Sequence, residues 1–253
     1  MEAWFISDIH LKTAEERNGK ILLRFLRSLL AGNPRQVHLF MLGDIFDLWV
    51  GGHTYFAKKF EPLMQTLGDL RKAGARITFI EGNHDVHVEG YFQKHLGIEV
   101  FVEAQYYLID GVRVRCEHGD LINLNDEKYL KYRSIIRNPY IKPLGNILPG
   151  KFWDHIGNKA SKKSRERSGH YRVSNEGELI SMIRKHTPVA YAEKPFDLIV
   201  SGHMHVFDDH TETINGHSVR SVNLGSWFEE RVKVFCLKNG VGEWVYLPSE
   251  EDL

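Results

Sequence analysis

The sequence predicts an α/β fold in which two β-sheets pack face to face between layers of helices. Three observations carry this. The first third of the chain alternates short apolar runs with helical periodicity, hairpin turn signals take over from about residue 98, and the residues able to do chemistry cluster directly after apolar runs. With 253 residues, 42% hydrophobic and 11% aromatic, the chain has material for one domain with a sizeable core, and composition excludes an intrinsically disordered protein.

In chain order, residues 3–7 read as a buried strand, and Ile21, Leu22, Phe25, Leu26, Leu29 and Leu30 then recur at helical spacing. A strand over 37–42, a helix over 55–73 ending at Gly74, and a strand over 76–80 complete a strand–helix–strand–helix–strand series. Asp110-Gly111, Asn215-Gly216 and Lys238-Asn239-Gly240 each separate a pair of β-rich runs, as hairpin turns do. Residues 121–190 carry few β signals, contain Pro139, Pro143 and Pro149, and show helical runs over 129–137 and 180–186. They read as a helical cap insertion within a single domain spanning 1–253. Thirty-three basic residues balance thirty-three acidic ones, so net charge gives no expectation of a nucleic-acid partner. The balance is uneven, however: residues 128–172 hold twelve Lys and Arg against Asp154 and Glu166, a net +10 offset by −10 elsewhere.

No apolar stretch approaches the roughly 20 residues of a membrane span. The N-terminal Met-Glu-Ala-Trp-Phe-Ile has neither the basic nor the long apolar region of a secretion signal. Cys116 and Cys236 have no close spacing, which favours reduced strand residues over a disulfide or thiolate site, and the expected location is cytoplasmic.

Five short motifs carry the chemistry: Asp8-Ile9-His10, Gly43-Asp44-Ile45-Phe46-Asp47, Gly82-Asn83-His84-Asp85, His118-Gly119-Asp120 and Gly202-His203-Met204-His205. In open α/β sheets ligands bind beyond the carboxyl ends of strands, so these loops can converge. Carboxylate, imidazole and amide donors without cysteine suit borderline and hard divalent cations, and a carboxylate bridging two ions holds them about 3.5–4 Å apart. Each motif alone is weak. Together they place several costly polar groups at strand ends, where buried charges normally pair or bind metal.

This order of motifs resembles the calcineurin-like metallophosphoesterases over residues 8–205. The resemblance implies a four-layer αββα metallophosphoesterase sandwich with two divalent ions. Asp8, His10, Asp44 and His205 would hold one ion and Asp44, Asn83, His118 and His203 the other, with Asp44 as the bridge. It also implies that His84 contacts the phosphoryl group and can protonate the leaving oxygen, with Asp85 orienting it. Asp47 reads either as a hydrogen-bond partner of a ligand or as a turn acid. Mn²⁺ is the ion the resemblance suggests, while Fe²⁺, Zn²⁺ and Mg²⁺ suit the same donors.

Beyond the metal motifs, Leu121, Asn125, Asp126, Tyr129, Arg133, Asn138-Pro139, Leu148-Pro149, Ser161-Lys162-Lys163-Ser164-Arg165, Arg167 and Asn223-Leu224-Gly225-Ser226-Trp227 resemble the UDP-2,3-diacylglucosamine hydrolase branch. Its members cleave a pyrophosphate in lipid A synthesis to UMP and a lipid 1-phosphate. That likeness implies a UDP-linked acylated sugar as substrate and peripheral contact with the cytoplasmic face of the inner membrane. It also implies substrate contacts from Asn83, His84, Asp126, Tyr129, Arg133, Ser161, Lys162, Arg165, Arg167 and His203. A basic cap would attract a pyrophosphate. Tyr132, Ile135, Ile136, Ile147, Leu148, Phe152 and Trp153 either line an acyl groove or hold the cap to the core. One departure stands out: well-known members of the branch carry Arg where this chain has His84. Another nucleotide-linked or lipid phosphodiester therefore stays open as substrate. A non-catalytic scaffold would need a missing ligand, and all seven are present.

Overall fold

The computed structural model describes residues 1–248, apart from 139, 141, 142 and 144–146 and the side chains of 155–174. Thirteen strands and six α-helices are named among them, numbered here in chain order. The parallel strands β1 (Glu2–Ile6), β2 (Val37–Met41), β4 (Arg76–Ile80) and β6 (Glu99–Phe101) form one sheet with antiparallel β12 (Lys233–Lys238) and β13 (Val241–Tyr246), in the order β13-β12-β1-β2-β4-β6. The second sheet runs β10-β11-β9-β8-β7, with β8 (Val112–Cys116), β9 (Leu198–Ser201) and β11 (His217–Leu224) parallel. Its two edges, β7 (Gln105–Ile109) and β10 (Phe207–Ile214), are antiparallel. A two-stranded ribbon pairs β3 (Trp49–Val50) with β5 (Asp85–Val86).

The period-two alternation of each strand decides the layering. Phe40, Leu42, Phe5 and Ile80 point into an inter-sheet core with Val114, Cys116, Val200, Val222 and Phe235, where the Phe5 and Phe40 rings stack at 4.8 Å. Leu39, Met41, Ile77 and Phe79 point the other way, onto Ile21, Leu22, Phe25 and Leu26 of α1 (Arg17–Ala31). On the far side, Ala190 and Tyr191 cover Ile199 and Val219 of the second sheet. Helix, sheet, sheet, helix is the resulting order, and each large side chain so buried contributes about 1.5–3 kcal/mol.

The three hairpin turns fall where expected, with Asp110, Asn215 and Asn239 at φ near +50° and glycine following each, the conformation two-residue turns of the primed types require. The helix expected over 55–73 is instead two, α2 (Thr54–Lys59) and α3 (Glu61–Lys72). Phe60 leaves helical geometry at φ −115° while its ring stays fully buried, so the apolar periodicity runs through the break, and Pro62 opens the new helix. A short α4 (Glu89–Leu96) ends on the left-handed Gly97.

The segment between β8 and β9 contains α5 (Glu127–Ile136) and α6 (Gly150–Glu193), which bends at Asn175 and carries Pro188 internally. The helical run over 180–186 is part of α6. Because β8 and β9 are parallel neighbours, a crossover is obligatory here, and the helices elaborate that connection. Cys116 and Cys236 are buried, free strand residues. Among the described residues, no helix is long and apolar enough to cross a membrane.

Candidate metal centre

All five motif loops leave the carboxyl ends of parallel strands: β1, β2 and β4 from one sheet, β8 and β9 from the other. Backbone hydrogen bonds knit them together, with Asp8 N donating to Gly43 O at 3.1 Å, His10 N to Asp44 O at 3.0 Å and Gly202 N to His118 O at 2.8 Å. Asp8, His10, Asp44, His203 and His205 all sit at left-handed φ between +52° and +67°. Each such residue costs about 1 kcal/mol or more, strain typical of functional loops and best tolerated by Asp and His. At Gly82 and Gly202 a Cβ would collide with the carboxylates of Asp44 and Asp8, which explains glycine there.

The ligand atoms fall into two groups sharing Asp44: Asp8, His10, Asp44 and His205, and Asp44, His118 and His203. Asp44 Oδ2 lies 3.8 Å from His10 Nε2 and 3.7 Å from His118 Nε2, while Oδ1 accepts His84 N at 2.9 Å. In the first group His10 Nε2 faces His205 Nε2 at 3.1 Å, and His205 Nε2 is 3.2 Å from Asp8 Oδ1. In the second, Asn83 Oδ1 is 3.1 Å from His203 Nδ1 and 3.3 Å from His118 Nε2. Donor atoms that share one ion at about 2.0–2.2 Å must lie roughly 3–3.5 Å apart, so these spacings fit metal coordination.

The tautomers agree. His118 Nδ1–H donates to Leu42 O at 2.8 Å, which turns the Nε2 lone pair toward Asn83 Oδ1 and Asp44 Oδ2, both acceptors. Lone pairs facing one another in a buried site call for positive charge between them. With no ion between them, these groups compete unevenly for protons. Burial disfavours charge on His118, but Asp44, Asp8 and Asp120 together raise its pKa, and burial with the His118 charge pushes His203 down to about 4. Burial also works against ionised Asp8, yet His205, His118 and Ser7 hold its pKa below the ordinary value.

His84 lies beside the first group, its ring 4.8 Å from that of His10 and edge-on to it. Its Nδ1–H donates to Asp47 O at 2.8 Å, leaving Nε2 as the atom able to hold or release a proton. Asp47 is buried, and its carboxylate converges with His10 and His84. Asp85 does not orient His84. It is fully buried and accepts from the backbone N–H groups of Gly82, Asp44 and Ile45 at 2.7–3.0 Å, binding the Asp44 and Asn83 loops together. Burial and the neighbouring Asp44 push its pKa up to about 8.

The expected substrate contacts divide. Tyr129 lies beside the centre, its ring 5.4 Å from that of His203 and its hydroxyl donating to Asp120 at 2.9 Å. Asp126 caps the N-terminus of α5, accepting Tyr129 N at 2.9 Å, so its side chain serves the helix. Arg133 is held by Asp120 at 2.7 Å and Glu103 at 3.1 Å, a structural ion pair in place of an open phosphate contact. Ser161, Lys162, Lys163, Ser164, Arg165 and Arg167 lie outside the described residues. Of the apolar set, Tyr132, Ile135, Ile147 and Phe152 are exposed, whereas Trp153 packs against the core. Two further neighbours of the centre had no role assigned from sequence, Phe228 with no signal at all and Asp120 only as the last residue of the His118 motif. Phe228 stacks on His10 at 5.7 Å, and Asp120, held down to about 2 by His118, His203 and Arg133 against its burial, ties α5 to the His118 loop.

Several known proteins are similar to this chain. The UDP-2,3-diacylglucosamine hydrolase of Coxiella burnetii is 28% identical over 225 residues, covering 88% of each chain. That of Photobacterium profundum is 26% identical over 247 residues and 95% of each chain, and that of Neisseria gonorrhoeae 26% over 249 residues and 98% of each. A solved archaeal phosphodiesterase aligns over 98% of this chain and 100% of its own, at 13% identity and a TM-score of 0.47. Residues 1–207 match the family pattern described as calcineurin-like phosphoesterase. The chain therefore belongs to the calcineurin-like phosphoesterases, a family of metal-dependent hydrolases.

Proposed function

We propose that the protein hydrolyses the pyrophosphate of UDP-2,3-diacylglucosamine, releasing UMP and 2,3-diacylglucosamine 1-phosphate, with two Mn²⁺ ions. The observation that carries the two-ion reading is Asp44, whose carboxylate belongs to both ligand groups. The substrate reading rests on relatives of that name that align through the helical segment as well as the metal loops.

Asp8, His10, Asp44 and His205 would hold one ion and Asp44, Asn83, His118 and His203 the other. When bound, the pair supplies charge neutralisation at the phosphoryl oxygens and an activated water for in-line attack. The chain's own residues do the rest. Asp85 and the inter-loop hydrogen bonds fix the loops before substrate arrives, so little reorganisation is left for the reaction. His84, oriented by the Asp47 carbonyl, presents Nε2 to hold a proton for the departing oxygen. Tyr129 borders the second group and offers an aromatic wall to the substrate. The exposed Tyr132, Ile135, Ile147 and Phe152 form the apolar surface for acyl chains, at the cytoplasmic face of the inner membrane. The helical segment over 121–190 acts as the cap, its basic residues drawing the pyrophosphate in. Nucleic acid is not the substrate class.

A second reading is favoured by one residue. His84 stands where the branch carries a guanidinium, and an imidazole can deliver a proton that Arg retains, as suits another nucleotide-linked or lipid phosphodiester. Incubation of Mn²⁺-loaded protein with UDP-2,3-diacylglucosamine, with mass spectrometry for both products and a generic aryl phosphodiester in parallel, tests the two together. Both products at an enzymatic rate support the first reading. Turnover of the aryl ester alone rejects it in favour of the second.

A further inference from the structure

Helix α5 carries Tyr129, Arg133 and Arg137 at four-residue intervals, the last as its C-cap, and this spacing sets three polar heads along one stripe of the helix. The stripe lies across two of the loops that supply the second ligand group. At one end, the Tyr129 hydroxyl and Arg133 Nε both donate to Asp120 Oδ2, at 2.9 and 2.7 Å, two residues beyond His118. At the other end, Arg137 reaches the residues immediately before Asn83. Its Nη1 donates to Glu81 Oε2 at 3.1 Å, and its Nη2 donates to the carbonyls of Glu81 and Gly82 at 3.2 and 3.1 Å.

The partners are themselves buried and hydrogen-bonded. Glu81 is 1% exposed and its other oxygen accepts Val88 N at 2.8 Å. Gly82 is gripped from both sides, its carbonyl by Arg137 and its N–H by Asp85 Oδ1 at 2.9 Å. The last turn of α5 is fastened to the same loop by His87 Nε2–H, which donates to Ile136 O at 2.7 Å. Asn83 follows Gly82 directly, so the peptide that Arg137 holds is the one that aims the Asn83 amide oxygen at His118 and His203.

We propose that Arg137 is a positioning residue for the second ion: through its grip on the Glu81 and Gly82 carbonyls it sets Asn83, making α5 a fixed brace of the metal centre. This rests on the two-ion reading above. The planar fork is what the role demands, because one guanidinium engages a carboxylate and two carbonyls at once, whereas a lysine ammonium is a point charge on a flexible stem. Partners of this kind, one step removed from the ligands, typically change metal affinity by about 10–100-fold.

The test uses the full chain, titrated with Mn²⁺ by calorimetry and followed in parallel by electron paramagnetic resonance, which separates a coupled Mn²⁺ pair from isolated Mn²⁺. Arg137→Lys keeps positive charge beside buried Glu81 while removing the fork. The double variant Glu81→Gln/Arg137→Gln leaves no unpaired charge and guards against a single variant that fails to fold. The expected result is a second-ion Kd raised about 10–100-fold, a first-ion Kd changed by less than about twofold, loss of the coupled signal at stoichiometric Mn²⁺, and its return at excess Mn²⁺. Wild type binding two ions with both constants unchanged in the variants overturns the inference alone, and so does equal weakening of both sites. Wild type binding a single ion overturns the two-ion reading and the inference with it.

Discussion

Replacing Asp44 with Asn tests the centre at its shared point. The substitution keeps the volume and an oxygen for His84 N, now 2.9 Å from Oδ1, but removes the negative charge that lies 3.7–3.8 Å from imidazole nitrogens of both groups. Two unit charges 4 Å apart attract by about 4 kcal/mol at an effective dielectric of 20. Ligated divalent ions lie nearer and carry twice the charge, so about 4 kcal/mol per ion is a lower figure, equivalent to roughly a thousandfold in each of two Kd values. Asp8→Asn touches one group and should weaken one ion. Without metal the effects oppose each other: neutralising Asp44 relieves its repulsion of buried Asp85 and removes its attraction for His118, so the apo fold should change little. The assay is thermal unfolding with and without Mn²⁺, beside a calorimetric titration. Wild type should gain stability with Mn²⁺ as bound ion favours the folded state, whereas Asp44→Asn should start near the apo wild type and gain almost nothing. An Asp44→Asn protein that still binds two ions with wild-type affinity, or loses only one, refutes the bridge.

The remaining predictions concern single side chains. His84→Ala should lower kcat by about 10²–10⁴-fold while both ions stay bound, as measured by turnover and metal content; loss of an ion would make His84 a ligand, alongside His10 and Asp47. Asp126→Ala should cost about 1 kcal/mol in chemical denaturation through the lost helix cap and leave KM unchanged, and a KM increase without loss of stability would restore it as a substrate contact. His38 is buried between the sheets against Phe40 and Tyr107, and burial, with Arg76 and Arg71 adding to it, lowers its pKa from 6.5 to about 3. The unfolded chain takes up the proton first as pH falls, so this contribution is complete above about pH 6.5 and declines toward pH 3, by about 2 kcal/mol at pH 5. His38→Gln should lose that slope, and denaturation curves at pH 7.5 and 5 with equal slopes for both proteins would show that His38 is not its source.

Much of the architecture was written locally. Short apolar runs marked β1, β2 and β4, and the Asp-Gly and Asn-Gly pairs marked three hairpins, because a run of that length and a positive-φ turn are properties of a few consecutive residues. The seven candidate ligands were legible for a related reason. Asp, His and Asn near glycine at strand ends are unusual locally, and the resemblance carried by their order implied a grouping before any distance was known. Where local signal misled, a longer-range fact intervened. The break at Phe60 kept its apolar phase because the ring still faces the core.

The residue types, their order and the loops that carry them were thus determined by the sequence by itself. Only the tertiary structure decided how those groups act on one another. Asp85 lies next to His84 in the chain, yet its carboxylate turns to the Asp44 loop while the Asp47 carbonyl holds the imidazole. Arg133, Asp126 and Arg137 are alike in sequence as charged residues near a helix, and folding makes one a partner of Asp120, one a helix cap and one a clamp on Gly82. A side chain's type states which bonds it can form, but the partner is chosen by which backbone N–H, carbonyl or charge the packed layers bring within about 3 Å.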